Sequence, residues 1–379
     1  MKITEIRAAG LRGATPKGGW AQELDPDDNV HTLVTVHTDD GVVGVGSVFS
    51  SEALVRAALQ TLEPLCLGAD PREPDRVSQV LHENTFWLGR GGAISHAISG
   101  IDVAMWDILG QVTGLPVSTL LGGRYRERVR PYASVLVDDE PVLTGNLTRL
   151  AEAGFTAFKI GWGNFGRERD TVDERIVAAA RDAVGPDALL AVDAGGSDAF
   201  WRRGYSWAVR TADMLAGYGV AWFEEALRPD DLDGFARLRQ VSRVPISGGE
   251  VLSRRQDFAR FIAGGAFDIV QPDTTKGGGL SESRRVAWLA EEFAVGFIPH
   301  GWNTAVGLAA DLHLAAALPG TELVEYKTGS AYIDDLVEDP FRLDDDGMLA
   351  VPSGPGLGVR LDKFALDRFA PGHRLLPTL

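Results

Sequence analysis

The chain has 379 residues, 45% of them hydrophobic and 24% charged, which is ordinary for a globular protein and long enough for two domains or a barrel with an appendage. Its formal net charge of −16 argues against nucleic acid or an anionic membrane as partner, since both need a basic face, but a bound divalent cation can still reverse the local field for an anionic small molecule. The single cysteine, Cys66, excludes an intrachain disulfide, and neither a signal-peptide pattern nor a run of ~18 apolar residues is present, so the expectation is a soluble cytoplasmic protein.

Strands come first. Residues 2–9 read as one, and residues 31–37 followed by Asp39-Asp40-Gly41-Val42-Val43-Gly44 as another with an Asp-Gly turn. Between the two, residues 13–29 form a long aperiodic loop of the kind that often serves as a lid. Trp20 within it either closes over a ligand or packs. From Ser51, a candidate N-cap, to Leu121 the pattern turns helical. The clearest helix spans 94–112, with Ile98, Ile101, Met105, Ile108 and Leu109 on one face, and it stops at Gly114-Leu115-Pro116. Asp102 and Asp107 on this helix are expected to be solvated or to cap a neighbour.

After Gly122-Gly123 strands and helices alternate. Eight short apolar runs, at 129–135, 157–160, 189–193, 220–224, 244–249, 267–271, 295–299 and 323–325, are separated mostly by helical segments. That count predicts an α/β fold with a TIM-type (β/α) barrel behind an N-terminal α+β domain. A doubly wound open sheet is disfavoured, because no glycine-rich phosphate loop follows the first strand. The expected division is residues 1–125, 126–350 and a tail, 351–379, whose Pro355-Gly356-Leu357-Gly358 returns to the first domain.

The chemistry gathers at strand ends. Asp193, Glu224 and Glu250 close three consecutive strands, so one rim receives three hard oxygen donors without Cys or His, a set suited to Mg²⁺. Like charges so crowded repel unless a cation neutralises them. Asp273 and His300 follow the sixth and seventh strands, where the carboxylate can fix the imidazole tautomer. Lys159 ends the second strand, pointing into the barrel mouth, and is costly to bury without an anion. Glu325, on the eighth, either meets a substrate oxygen or balances Lys159. Trp302 and Arg90 either line the pocket or pack and face solvent.

In order, Ile101-Asp102-Val103-Ala104-Met105-Trp106-Asp107, Phe158-Lys159, Val192-Asp193, Trp222-Phe223-Glu224-Glu225, Gly249-Glu250, Pro272-Asp273, Pro299-His300 and Pro355-Gly356-Leu357-Gly358 resemble the enolase superfamily and its mandelate racemase-like subgroup. The resemblance covers nearly the whole chain. It implies a modified barrel, Mg²⁺ on the three acids, a His300–Asp273 dyad as base, Lys159 stabilising an enediolate, and a homo-oligomer. The chain departs from the family on the second strand, where Lys-x-Lys is replaced by Lys159-Ile160-Gly161. The third strand likewise runs into Ala194-Gly195-Gly196, where some relatives place a histidine. With one obvious base, His300, the expected activity is dehydration of a sugar acid (an aldonate or aldarate) to a 2-keto-3-deoxy acid. The glycines at 161, 195 and 196 are expected to leave room for a polyhydroxylated chain. Racemisation, epimerisation or cycloisomerisation, with Arg167 or Lys159 as second base, is the alternative, and a non-catalytic binding protein the remote one. Specificity is expected from residues 13–29 and 46–53, although Lys17, Trp20 and Gln22 identify no stereochemistry.

Overall fold

The computed structural model describes residues 1–20, 22–198 and 201–376. Ala21 of the expected lid and the last three residues of the tail lie outside them. The first domain opens with an antiparallel sheet in the order β1 (Ile3–Leu11), β2 (His31–Thr38), β3 (Val43–Val48). Strand alternation divides β2 between two cores: Val34 and Val36 pack with the helices, whereas Leu33 joins the large core shared with the barrel. Both faces being covered, every residue of β2 is buried.

Three helices pack on the sheet, α1 (Glu52–Cys66), α2 (Pro74–Asn84) and α3 (Ala93–Thr113). Gly44 and Gly46 let α3 lie directly on β3, since a Cβ at either would meet the carbonyl oxygen of Ala104 or Gly100 at 2.0 Å. Gly114, left-handed at φ 70°, ends α3 as its place in the sequence predicts. Ser51 does precede α1, but its side chain caps nothing; Asn29 Oδ1 accepts the Glu52 N–H instead. Cys66 is buried and free.

A short helix, α4 (Val117–Leu120), leads to eight parallel strands. They are β4 (Arg128–Leu136), β5 (Ala157–Gly161), β6 (Leu189–Asp193), β7 (Phe223–Glu224), β8 (Ile246–Gly248), β9 (Ile269–Val270), β10 (Gly296–Phe297) and β11 (Leu323–Lys327). The intervening helices are α5 (Glu140–Glu152), α6 (Asp170–Val184), α7 (Tyr205–Gly217), α8 (Leu232–Val241), α9 (Arg254–Ala263), α10 (Gly279–Glu292) and α11 (Ala305–Ala316). Spatial order is β10-β9-β8-β7-β6-β5-β4-β11, so the last strand returns beside the first, as a barrel requires. Among the described residues no ladder joins β10 to β11. Side chains bridge that seam: Thr321 Oγ1 donates to the Phe297 carbonyl (3.2 Å), and the Gly301 N–H donates to Glu325 (2.9 Å). β7 to β10 are shorter than their apolar runs because flanking residues make only single bonds across, such as the Ala221 N–H to the Leu190 carbonyl (2.8 Å). Tyr132, Ala157, Ala191, Trp222 and Ile298 fill the barrel interior below its charged rim.

Asp102 and Asp107 are not solvated. Both are buried where α3 meets the rest of the molecule. Asp102 accepts the Ser281 N–H (3.0 Å) and Oγ–H (2.6 Å) in the first turn of α10, and Asp107 accepts the N–H groups of Val45 (3.1 Å) and Leu357 (2.9 Å). The second alternative, capping a neighbour, is the one realised. Leu357 belongs to the returning tail, which also pairs Gly356 with Leu115 and Val117. Among the described residues no helix is long and apolar enough to cross a membrane.

Candidate active site

The parallel register sets Gly161 opposite Asp193 and Asp193 opposite Glu224, while Glu224 lies opposite Ser247, three residues before Glu250. Adjacent strand ends therefore deliver three carboxylates to one place. One oxygen from each of Asp193, Glu224 and Glu250 lies within 4.8 Å of the others, and all three residues are buried. Such hard, crowded donors fit a divalent cation. Burial first, and the charge of Glu224 second, push Asp193 up to about 7 in the metal-free molecule. Asp193 and Glu224 are also held from outside the cluster. Gly195 N–H donates to Asp193 Oδ1 (2.8 Å) and Trp162 Nε1 to Oδ2 (3.0 Å). Gln271 Nε2 (2.8 Å) and Trp222 Nε1 (3.0 Å) both donate to Glu224 Oε2. These bonds orient the oxygens that a cation needs.

Lys159 is buried among acids: its Nζ lies 2.6 Å from Glu224, 3.1 Å from Glu325 and 3.5 Å from Asp193. Burial favours its neutral form, yet Glu224 and Glu325 outweigh that and hold the pKa well above the ordinary lysine value. Glu325 does balance Lys159, and it reaches His300 as well, at 3.7 Å from Nε2. Against burial, Lys159 and His300 bring Glu325 down to about 2.

A parallel bridge joins Asp273 to His300 and sets His300 Nδ1 2.7 Å from Asp273 Oδ2. The other oxygen of Asp273 accepts from Thr275 N–H (2.7 Å) and Oγ (2.6 Å), which locks the carboxylate. His300 Nε2 faces Glu250 at 3.1 Å. Carboxylates thus stand against both of its ring nitrogens. Burial alone lowers the pKa of His300, but Glu250, Glu325 and Asp273 raise it well above the usual range.

Several residues escaped the sequence reading. Lys276 is buried with Nζ 3.5 Å from Asp273 and 3.7 Å from Glu250, and lies over the Phe49 ring (4.5 Å). Its position three residues past Asp273, on the same rim, was the available signal. Glu225 adjoins Glu224, so strand alternation would turn it outward. Its left-handed backbone (φ 45°) redirects it toward Ser197, whose Oγ donates at 2.6 Å. Burial, then Glu250 and Asp193, push this carboxyl well above the ordinary range.

The glycines do not open space. A Cβ on Gly161 would stand 2.3 Å from the Asp193 carbonyl oxygen, and one on Gly196 would stand 2.2 Å from that of Leu227. A Cβ on Gly195 would meet the Trp162 ring at 2.7 Å. Bare backbone lets the strand ends close in, and Trp162, left-handed at φ 57°, folds its indole over the result. Trp20 both packs and covers: it meets Trp162 (5.9 Å) and Trp302 (5.2 Å) edge-on, and all three line the cavity above the acids. Phe49 brings the 46–53 stretch into that cavity, which measures about 390 Å³. Arg90 is exposed and stacks on Phe86 (5.7 Å), outside the lining. Arg167 pairs with Asp198 (2.8 Å) and stacks on Trp201 (4.9 Å), likewise outside it. A larger cleft of about 810 Å³ lies along β1 and the tail, but none of the rim acids, His300 or Lys159 reaches it.

Residues 144–365 match the model described as enolase C-terminal domain-like, and residues 27–122 match the mandelate racemase / muconate lactonizing enzyme N-terminal domain. D-galactarolactone cycloisomerase of Agrobacterium fabrum is 35% identical, over 97% of this chain and 99% of its own. D-galactonate dehydratase of Xanthomonas euvesicatoria is 33% identical, over 89% and 90%. The crystal structure of the 3,6-anhydro-D-galactonate cycloisomerase from Zobellia galactanivorans superposes with a TM-score of 0.87 at 32% identity, covering 98% of this chain and 99% of that one. The chain is thus an enzyme of the enolase superfamily and belongs to its mandelate racemase / muconate lactonizing enzyme family.

Proposed function

We propose that the enzyme removes the proton next to the carboxylate of a sugar acid and eliminates the oxygen on the following carbon, acting as a sugar-acid dehydratase. The observation that carries this reading is the single base. His300 with Asp273 serves one side of the cavity, while the second-strand position where the Lys-x-Lys pattern would put its second lysine is Gly161, closed against Asp193. Lys159 and Lys276, the other amines of the cavity, are held by carboxylates, so among the described residues no second base stands ready for inversion at the α-carbon, whereas β-elimination needs only one.

Asp193, Glu224 and Glu250 would hold Mg²⁺, which would supply positive charge to stabilise the enediolate. Were Glu250 to hold the cation, His300 Nε2 would be freed of its carboxylate partner and could accept the α-proton, while Asp273 keeps Nδ1–H in place. Lys159 places its ammonium beside the developing oxyanion. The electron pair from the α-C–H bond forms the C2–C3 double bond, the C3–O bond breaks, and the imidazolium returns its proton to the departing oxygen as water. The enol then tautomerises to a 2-keto-3-deoxy acid. Trp20 and Trp302 close the mouth and exclude bulk water. In this reading residues 1–125 cap a catalytic barrel, 126–350, and the tail ties the two together.

A second reading changes only the leaving group. If the C3 oxygen belongs to a lactone or ether ring, the same bond breaks, the oxygen stays tethered, and the outcome is isomerisation. The aromatic mouth of Trp20, Trp162 and Trp302 suits a compact ring, and the two cycloisomerase relatives support it. The test is a screen of the Mg²⁺-loaded enzyme against aldonates, aldarates and their lactones, detecting 2-keto-3-deoxy acids. Product lost with EDTA and in His300→Asn supports elimination, and the substrate that yields it separates the two leaving groups. Product formed equally well by His300→Asn would overturn both.

A further inference from the structure

The elimination leaves two buried cations unused, Lys276, which Asp273 and Glu250 already neutralise, and Lys327. Lys327 follows Glu325 by two residues on β11, so alternation gives both the inward face. Tyr326, between them, turns outward to donate to Asp334 (2.6 Å) and to pack on Phe155. The expected strand stopped at Glu325; the observed one runs two residues further and sets Lys327 just behind the cavity lining, beside Trp302 and Glu325. Lys327 is 6% exposed, and its ammonium lies over the ring of Trp302, a cavity-lining side chain, at 6.0 Å. Its ladder partner, Ser134, lines the same cavity.

Among the described residues no carboxylate lies within 4.0 Å of this ammonium, whereas Lys159 and Lys276 each contact two or more. The acids that act on it from further away are committed elsewhere. Glu325 takes Lys159 and the Gly301 N–H, and Glu23 takes the N–H groups of Gly18 (2.6 Å) and Gly19 (3.0 Å). Burial accordingly draws the Lys327 pKa down to about 8, in spite of Glu325 and Glu23. A buried ammonium without a partner is costly unless an anion arrives to meet it.

We propose that Lys327 anchors a second carboxylate at the far end of the substrate, so that six-carbon aldarates are preferred over aldonates. The proposal rests on the sugar-acid reading above. The strand rise is of the right size: two residues set the Lys327 backbone about 7 Å along β11 from that of Glu325, whose carboxylate holds Lys159. Five C–C bonds of about 1.5 Å in zigzag place the two carboxyl carbons of an aldarate about 6 Å apart. The apolar walls of Trp20, Trp162 and Trp302 between the two charged ends strengthen each pairing by excluding water.

The test uses galactarate and galactonate, which differ only in whether C6 is a carboxylate or an alcohol. Affinities are measured by calorimetry with Mg²⁺-loaded His300→Asn, which holds ligand without turnover. Galactarate is expected to bind at least ~10-fold more tightly than galactonate, and adding Lys327→Met should weaken galactarate by ~10- to 100-fold while moving galactonate less than ~3-fold. Lys327→Arg, which keeps the charge, should retain the preference. Equal affinities for the two acids, no loss in Lys327→Met, or failure to bind either acid would overturn the proposal. So would a parallel loss of both, which would make Lys327 a latch for the loop that carries Glu23. If galactarate binding depends on Lys327 but the wild-type enzyme converts no sugar acid, the elimination reading fails and the anchor stands. If sugar acids are converted and Lys327→Met is indifferent, the reverse holds.

Discussion

Gly161→Ala tests whether the missing second base has been replaced by a closed strand end. The new Cβ would stand 2.3 Å from the Asp193 carbonyl oxygen, 2.6 Å from its Cβ and 3.0 Å from its carbonyl carbon. Two of these atoms are backbone, so no rotamer relieves the contact, and the end of β5 must move away from β6. Overpacking of this kind costs ~1–3 kcal/mol. For a chain of 379 residues the unfolding entropy is about 0.8 kcal/mol/K, which translates the cost into a Tm lowered by about 1–4 °C. The movement also displaces Asp193, which the Trp162 indole and Gly195 N–H hold in place. Disturbing such support typically weakens a metal site by ~10- to 100-fold. Calorimetric titration with Mg²⁺ and a thermal scan measure both quantities on one preparation. Gly161→Lys should fare no better, since the family side chain meets the same backbone. An alanine variant with unchanged Tm and unchanged Mg²⁺ affinity would refute the closed-end reasoning.

Asp193, raised to about 7 by burial and Glu224, holds a proton below that pH in the metal-free enzyme, so Mg²⁺ affinity should fall by up to ~10-fold per unit as pH drops below 7. The sign for stability is opposite: a carboxyl raised on folding stabilises below its unfolded pKa and loses that contribution as pH rises through 7. The metal-free Tm should therefore decline across that window and saturating Mg²⁺ should restore it, with ~2.7 kcal/mol gained at 100 times Kd. Thermal scans at several pH values with and without EDTA check both; a flat metal-free profile would contradict them. Asp102 is pushed up to about 7 by burial where it caps α10, so Asp102→Asn should flatten part of the stability slope between about pH 4 and 7. Asp102→Ala should instead cost ~1–3 kcal/mol, because the Ser281 N–H loses its acceptor; denaturant titration separates the two.

Strand-end acids were legible because each closes a short apolar run, and a parallel sheet brings consecutive runs side by side. The eight strands, the Asp273–His300 pairing and the tail's return followed from the same rhythm. What was not legible depended on backbone shape. Gly161 and Gly195 read as missing side chains, hence as room; in the folded chain, missing side chains let the backbone close. Glu225 sits in a strand-like run, and only a left-handed residue turns it inward. Lys276 lies in a loop, where no periodicity marks orientation, and Lys327 lay beyond the apolar run that defined its strand. Asp102 is charged on an apolar helix, so its burial depended on a partner, Ser281, distant in sequence.

The central claim is that one base, His300, removes the α-proton and that elimination follows. It is tested most directly by NMR of the Mg²⁺-loaded enzyme acting on its sugar acid in heavy water. The account predicts a 2-keto-3-deoxy product carrying deuterium at C3, recovered substrate with its α-configuration intact, and neither exchange nor product with His300→Asn. Recovered substrate epimerised at the α-carbon, or product formed at the wild-type rate by His300→Asn, would contradict it.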